Sequence, residues 1–311
     1  MTSMELLRQL VVFNVFFLVF SSYALAEWSS RNRLEVGMTD NALRTDSEKE
    51  GDFFFLAGTS NKFYSVPGHI LGLRLQYQDY NKEDTNDLLS FGVSDELDCF
   101  GKRTCEFELK GQEYVHGEPG TTDSSFNNYA FAATVSQSKD LRQSLTLDLS
   151  AGYEARSFSS LSRFDNSIFG SATLGYDLTS QAYIEGYGEA GVVLSSASEY
   201  SAFYIDMSIL SEYTLNRFWS FSAELGLKQT SFLSRDLTTE TQVTRKNGRV
   251  VSQVDTSKET YSALYLSGEA MRRFSINSSG SIVVRSYQQR SRSGYQDYKE
   301  NEILAKWLIT F

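Results

Sequence analysis

The sequence predicts an all-β fold, a transmembrane antiparallel up-and-down β-barrel of about fourteen strands, with twelve as the alternative. First, apolar and polar residues alternate over long segments from Arg33 to Phe311. Second, only 2 of the 311 residues are proline, which cannot donate a hydrogen bond to a strand ladder. Third, short connections and longer polar connections follow each other in turn, as in up-and-down barrels.

Residues 1–26 have the pattern of a secretory signal peptide. Arg8 supplies the positive flank, an apolar run extends from Leu10 to Phe20, and Ala24-Leu25-Ala26 is a cleavage site of small residues. An uncleaved membrane anchor is the alternative, although the apolar run is too short to span a bilayer comfortably. We therefore predict a signal peptide over residues 1–26 and a barrel over residues 27–311.

The predicted strands cover the rest of the chain in order. Residues 87–116 carry the weakest pattern, and counting them as one strand with an excursion would give twelve strands. The strands are expected at about 32–42, 52–61, 69–80, 88–98, 104–116, 126–137, 143–157, 166–178, 181–195, 200–215, 218–233, 258–274, 280–292 and 300–311.

The length of the alternation favours a membrane barrel. In the segment 143–157, Leu145, Leu147 and Leu149 share one parity, and Thr146 and Asp148 share the other. A soluble β-sandwich would also alternate, but its strands average roughly five or six residues. A tilted strand needs roughly 9–11 residues to cross a bilayer. The longer segments meet this requirement.

The last strand shows which parity faces lipid. Ile303, Trp307 and Phe311 share one parity, and Lys306 lies on the other. We expect the aromatic and aliphatic set to face lipid. Trp219 and Trp307 lie near strand ends on this parity, as in an interfacial aromatic girdle, although aromatic residues are also enriched in strands generally.

The connections predict how the barrel is oriented. Barrels of this kind place short turns in the periplasm and long loops outside, so both termini should be periplasmic. The longest loop, 235–259, contains Asn247-Gly248, the preferred pair for a type I′ turn. We therefore predict a β-hairpin that stands above the membrane.

The two cysteines, Cys99 and Cys105, are separated by five residues. This spacing favours a disulfide that closes a turn in an oxidising compartment, with free thiols as the alternative. A metal site would need more ligands than two thiols and the distant pair His69 and His116. We expect no metal and no cofactor.

Charged residues occupy the parity that faces inward. Such charges would be costly in a dry core but are natural in a water-filled lumen. The alternative is a salt-bridge network, including Glu154, Arg156, Glu269 and Arg273, that plugs a narrow barrel. The candidate lumen-lining residues for selectivity are Asp148, Glu154, Arg156, Glu185, Glu189, Asp206, Glu224, Lys228, Glu269 and Arg273.

The sequence gives little support for catalysis or for nucleic-acid binding. The net charge of −10 disfavours nucleic acid as a partner. His116, close in sequence to Asp123, Ser124 and Ser125, is a weak candidate for a hydrolytic catalytic site at the outer rim. A solvated loop histidine is commoner than a catalytic one. We therefore expect that the protein is not an enzyme and has no catalytic residue.

The signal sequence, the rhythm of strands and turns, and the terminal Phe311 together resemble Gram-negative outer-membrane β-barrel proteins of the porin-like kind. Lys306 stands near the place where their insertion signal has a glycine. The opening segment 34–42 also resembles barrels of exopolysaccharide or surface-lipoprotein export. The resemblance implies an outer-membrane location, with membrane lipid, lipopolysaccharide and the insertion machinery as partners.

The expected function is a porin-like channel for small solutes with a mild preference for cations, because acids outnumber bases on the inward parity. One alternative is a conduit for export of polysaccharide or another surface molecule. Saccharides are possible solutes, and inward tyrosines such as Tyr183, Tyr187, Tyr204 and Tyr265 could stack on them. The other alternative is a structural or adhesion barrel that acts through its outer loops.

Overall fold

The computed structural model describes residues 27–41, 51–66, 68–82, 87–101, 103–114, 127–159, 162–244, 250–293 and 297–311. The predicted signal peptide, the group around His116 and the pair Asn247-Gly248 lie outside these residues. No helix in this part of the chain is long and apolar enough to cross a bilayer.

The described residues form fourteen antiparallel strands in one closed sheet, in which each strand pairs with its neighbours in sequence. The prediction of fourteen strands is therefore confirmed, and the alternative of twelve is wrong. The strands are β1 (Glu27–Thr39), β2 (Asp52–Val66), β3 (His69–Tyr80), β4 (Leu88–Cys99), β5 (Arg103–Tyr114), β6 (Asn128–Arg142), β7 (Leu145–Phe158), β8 (Arg163–Asp177), β9 (Ala182–Ser195), β10 (Ala202–Thr214), β11 (Trp219–Thr244), β12 (Val250–Ser275), β13 (Ser278–Ser291) and β14 (Tyr298–Thr310).

The first and last strands close the barrel. Strand β1 pairs with β14 over nine residue pairs, from Arg31 opposite Thr310 to Thr39 opposite Glu302. At one end, the Phe311 amide donates to the Ser30 carbonyl at 2.8 Å, and the Ser30 amide donates to the Phe311 carbonyl at 3.1 Å. Along this seam the backbone donors and acceptors of both strands are paired.

The observed strand ends differ from the predicted ones where pairing extends a strand. Strand β1 begins at Glu27 rather than near residue 32, because residues 27–31 pair with the end of β2. Strands β11 and β12 run for 26 residues each. The predicted hairpin is therefore a continuation of these two strands, beyond a register shift between Ser231 and Asp236.

The outward face of the barrel is apolar, as the parity predicted. Leu225 is 51% exposed, Ile303 is 53% exposed and Trp307 is 43% exposed, and all three face away from the lumen. The inward neighbour Leu304 is only 1% exposed. Trp307 stacks on Phe274 with 4.9 Å between ring centroids, near the end of the barrel that carries the chain termini.

The two ends of the barrel differ, and we name them by their connections. At the turn end, where β1 begins at Glu27 and β14 ends at Thr310, tight turns join the strands. In one of these turns, Asn216 Oδ1 accepts from the amides of Phe218 at 2.9 Å and Trp219 at 3.1 Å. At the loop end, connections of 4 to 13 residues join β1 to β2, β3 to β4 and each later pair, against 2 to 4 residues at the turn end.

A disulfide lies at the turn end, between β4 and β5. Cys99 is bonded to Cys105, with 5.8 Å between the Cα atoms. It closes a turn in which Phe100 and Gly101 adopt positive φ angles of 43° and 87°. The predicted disulfide is confirmed, and the alternatives of free thiols and a metal site at these cysteines are wrong.

Replacing both cysteines, Cys99→Ser with Cys105→Ser, should lower the free energy of unfolding by about 2 kcal/mol, because the unfolded chain regains the freedom that the short closed loop removes. Urea unfolding in phospholipid vesicles measures this difference. The variant should still show the heat-modifiable mobility of a folded barrel. A variant that fails to fold at all would show that the disulfide is required for insertion.

A charge on the outward face should destabilise the barrel far more than a charge on the inward face. We expect Leu225→Arg to cost about 2–4 kcal/mol of unfolding free energy, since the side chain lies near the middle of the lipid-facing band. The matched variant Ser222→Arg on the same strand faces the lumen and should cost much less. Equal costs in vesicle-based unfolding would contradict the assignment of the two faces.

Candidate functional site

The lumen is the candidate functional site, and the structure places all ten predicted residues on its wall. Cross-strand pairing brings Glu189, Asp206 and Lys228 into one row across β9, β10 and β11. Glu185 and Glu224 share a second row, because both lie opposite Leu210 of β10. Glu154 and Arg156 lie together on β7, and Asp148, Glu269 and Arg273 face the lumen elsewhere on the wall. Whether these residues set selectivity stays a prediction.

One side of the lumen carries acids without cationic partners. There are seven such acids, and among the described residues no lysine, arginine or histidine nitrogen lies within 4.0 Å of their carboxylate oxygens. The Oδ1 atom of Asp206 is buried and has no hydrogen-bond partner in the described part of the chain. We call this set the acidic wall; its members are Asp148, Asp177, Glu185, Glu189, Asp206, Glu212 and Glu224.

Tyrosines hold several of these carboxylates in place. The Tyr183 hydroxyl donates to Glu185 at 2.7 Å, which is two residues along β9. The Tyr187 hydroxyl donates to Glu189 at 2.6 Å, and the Tyr204 hydroxyl donates to the other oxygen of Glu189 at 3.0 Å. A neutral donor orients a carboxylate without cancelling its charge, so the wall keeps its negative potential.

Other acids in the lumen are paired. Glu154 binds Lys110 at 2.7 Å and Arg156 at 2.6 Å, and it connects β5 to β7. Glu269 binds Lys306 at 3.2 Å. The ion pairs that the alternative of a plugged barrel requires are therefore observed for Glu154, Arg156 and Glu269. They are not observed for Arg273, because no described carboxylate lies within 4.0 Å of its guanidinium.

Inward glycines let aromatic rings lie flat against the wall. A Cβ atom added to Gly191 would lie 2.7 Å from the Tyr204 ring, so the ring occupies the space above the glycine. Tyr265 covers Gly226 and Tyr183 covers Gly175 in the same way. The rings therefore do not project across the lumen. The sequence alone did not predict these pairs, because only the strand register shows which glycine lies beside which ring.

The opposite side of the lumen is packed, and it contains both buried polar residues, such as Glu35 and Thr39, and a small apolar cluster. Phe54, Tyr80, Val283 and Leu304 form a buried cluster on the inner faces of β2, β3, β13 and β14. The sequence analysis expected a polar inner face and did not predict this cluster. The cluster narrows the lumen from one side, and the open space lies toward β7–β13.

Three cavities follow this open side. The cavity near the middle has about 590 Å³ and is lined by Glu224, Tyr265, Arg285, Tyr287 and other residues of β10–β14. A cavity of about 470 Å³ lies toward the loop end, and one of about 380 Å³ lies toward the turn end. Together they place solvent-sized space along the acidic wall.

The structure does not bring His69 into the lumen. His69 begins β3 at the turn end, and its Nδ1 atom lies 3.4 Å from Asp95 Oδ1 on the outward face. His116 lies outside the described residues. In the described part of the chain, no three side chains with metal-ligating groups converge. The absence of enzymatic activity stays a prediction.

No protein family and no curated protein matches the sequence. Among solved structures, a bacterial polysaccharide outer-membrane secretin is similar, with 10% identity over 91% of this chain and 97% of that chain and a TM-score of 0.54. This likeness shows that the chain has the fold of an outer-membrane β-barrel.

Two further solved structures are similar at lower scores. An anion-selective porin from Comamonas acidovorans has 8% identity, over 92% of this chain and 99% of that chain, with a TM-score of 0.48. A loop-deletion mutant of OmpT, an outer membrane protein of Vibrio cholerae, has 10% identity, the same two coverages and a TM-score of 0.47.

The ring over Gly226 should make that position sensitive to a single methyl group. Gly226→Ala should cost about 1–3 kcal/mol of unfolding free energy, because the Tyr265 ring must leave its place against the wall. In a Tyr265→Ala background the same change should cost almost nothing. The outward Gly188, with no atom within 4 Å of an added Cβ, is the control, and Gly188→Ala should be neutral. Additive single effects would contradict the packing of this pair.

Proposed function

We propose that the protein is an outer-membrane channel that passes small solutes with a mild preference for cations. The observation that carries this proposal is the acidic wall, whose seven carboxylates have no cation within 4.0 Å among the described residues. Two described cations of the lumen wall near these acids, Lys228 and Arg273, have no carboxylate partner at this distance.

The barrel supports an outer-membrane location, and its connections are the basis for the orientation that we propose. The exposed apolar band requires a lipid surround, and the fold is that of outer-membrane barrels. We place the turn end, with both chain termini, in the periplasm and the loop end outside, because such barrels have short periplasmic turns. Lipid and lipopolysaccharide then contact the outward face. The insertion machinery would read the last strand, which ends at Phe311.

The lumen contains carboxylates with a cationic partner and carboxylates without one, and the two differ in their effect on the lumen potential. A paired carboxylate such as Glu269 contributes little to the potential of the lumen, because Lys306 lies 3.2 Å away. The seven carboxylates of the acidic wall, offset by Lys228 and Arg273, give a formal charge of −5. A row of fixed negative charges raises the local concentration of cations and lowers that of anions.

The packed side of the lumen limits what can pass. Phe54 is 4% exposed and Leu304 is 1% exposed although both face inward, so this side leaves little room for solvent. A path restricted to the acidic side suits ions and small solutes. Export of a polysaccharide or another surface molecule is the second candidate, and the flat tyrosine rings support it. A role in adhesion would use the arms of β11 and β12 that extend from the loop end.

Neutralising three acids of the wall should weaken the cation preference. The triple variant Glu185→Gln, Asp206→Asn and Glu224→Gln reduces the formal charge of the wall from −5 to −2. In planar bilayers under a potassium chloride gradient, the reversal potential of the wild type should have the sign of cation selectivity. That of the triple variant should move toward zero.

A charge-balanced variant serves as the control. Glu269→Gln with Lys306→Gln removes one ion pair and leaves the net charge of the lumen unchanged, so the reversal potential should stay close to the wild-type value. Folded protein that gives no current at any voltage would overturn the proposed channel. A reversal potential of the anion-selective sign would overturn the role of the acidic wall.

A further inference from the structure

We propose that the loop end of the lumen contains a binding site for a neutral hexose saccharide. The site is the cavity of about 470 Å³ enclosed by β7–β11. The proposal rests on the proposed channel and names one class of solute for it. Three features of the cavity support it: the aromatic rings in its lining, the balance of its charged groups and the rigidity of its rim.

The cavity is unusually rich in aromatic side chains. Phe169 and Tyr204 are half-buried, and each ring lies over an inward glycine of the neighbouring strand, Gly152 and Gly191 respectively. One face of each ring therefore packs on backbone. The remaining surface of each ring borders the cavity, where the Lys228 Nζ atom lies 5.8 Å from the Tyr204 ring centroid. The aromatic residues that line it are Phe158, Phe169, Tyr200, Tyr204 and Phe232.

The charged groups of the cavity balance. Arg156 binds Glu154 at 2.6 Å, and Arg163 binds Asp165 at 2.8 Å. The two remaining charged groups, Glu189 and Lys228, have opposite signs. Because the site has no net charge, it has no electrostatic reason to concentrate ions, unlike the deeper acidic wall. Its carboxylates, guanidinium groups and ammonium group still supply donors and acceptors for hydroxyl groups.

The rim around the cavity is held rigidly. The Arg163 guanidinium carbon lies 3.8 Å from the Phe158 ring centroid and 4.0 Å from that of Tyr200. Arg235 lies 4.0 Å from the Phe232 centroid, and it donates to the Tyr261 hydroxyl at 2.9 Å and to the Glu199 carbonyl at 2.6 Å. These contacts hold the connection between β9 and β10 against the base of the long hairpin. The entropic cost of ordering the rim when a ligand binds is therefore small.

This combination fits the chemistry of a pyranose ring. A hexose has C–H groups on its faces, which pack on aromatic rings, and hydroxyl groups around its edge, which hydrogen-bond to charged side chains. The cavity of about 470 Å³ falls within the range of roughly 300–1,000 Å³ that is usual for small-molecule sites. A short oligosaccharide therefore fits the space and the lining.

The test uses the full barrel in two measurements. Maltotriose and cellotriose are titrated by calorimetry against protein in a detergent without a sugar headgroup, and they are also added to the loop-end side in planar bilayers. We expect saturable binding of at least one trisaccharide and a matching reversible block of the current. Phe169→Ala or Tyr204→Ala should weaken binding about tenfold, through the loss of one stacked face.

Two control variants separate binding from folding. Tyr183→Ala removes a ring that also lies over a glycine and also donates to a carboxylate, but it lies outside the cavity, so binding should be unchanged. Tyr204→Phe keeps the ring and should retain most of the affinity. Equal losses in Tyr183→Ala and Tyr204→Ala would overturn the placement of the site.

The possible failures are distinguishable. A cation-selective current with no binding of either trisaccharide overturns the saccharide site and leaves the proposed channel standing. Saturable binding without any current supports the site and overturns the channel. Binding of the sugars that does not change in Phe169→Ala or in Tyr204→Ala also overturns the site, since the ring faces would then not be the contact surface.

Discussion

The pairing of β1 with β14 is the constraint on which the rest of this structure depends. A backbone amide or carbonyl left without a partner in hydrocarbon costs several kcal/mol, so an open sheet edge cannot remain in lipid. The nine residue pairs of the seam, with the bonds between Ser30 and Phe311 at one end, remove that edge. Once the cylinder is closed, the period of two along every strand sorts side chains into a lipid-facing set and a lumen-facing set.

The lumen that results has two unlike sides. On one side, Phe54, Val283 and Leu304 pack as a small apolar core. On the other, carboxylates without cationic partners are oriented by tyrosine hydroxyls, and several rings lie flat over glycines. Flat rings leave the space in front of the acids open, and oriented acids keep their charge. Both features favour a polar path along one side of the lumen.

The sequence predicted what depends on alternation and local spacing. The strand number, the inward parity of residues such as Asp206 and Glu224, and the Cys99–Cys105 disulfide all follow from patterns that a few adjacent residues carry. What it did not predict depends on register between strands. The ring of Tyr265 over Gly226, the pairing of Glu269 with Lys306, and the contact of Leu304 with its cluster each join residues that are far apart in the chain.

Cross-linking across the seam tests the closed cylinder most directly. Val36 and Ala305 are opposite each other on the outward face of β1 and β14, so a variant with Val36→Cys and Ala305→Cys should form a disulfide under mild oxidation in membranes. The same-face pair Val36→Cys and Ile303→Cys is displaced by two residues and should cross-link much less. Efficient cross-linking of the displaced pair, or none of the opposed pair, would contradict the closure on which every other feature rests.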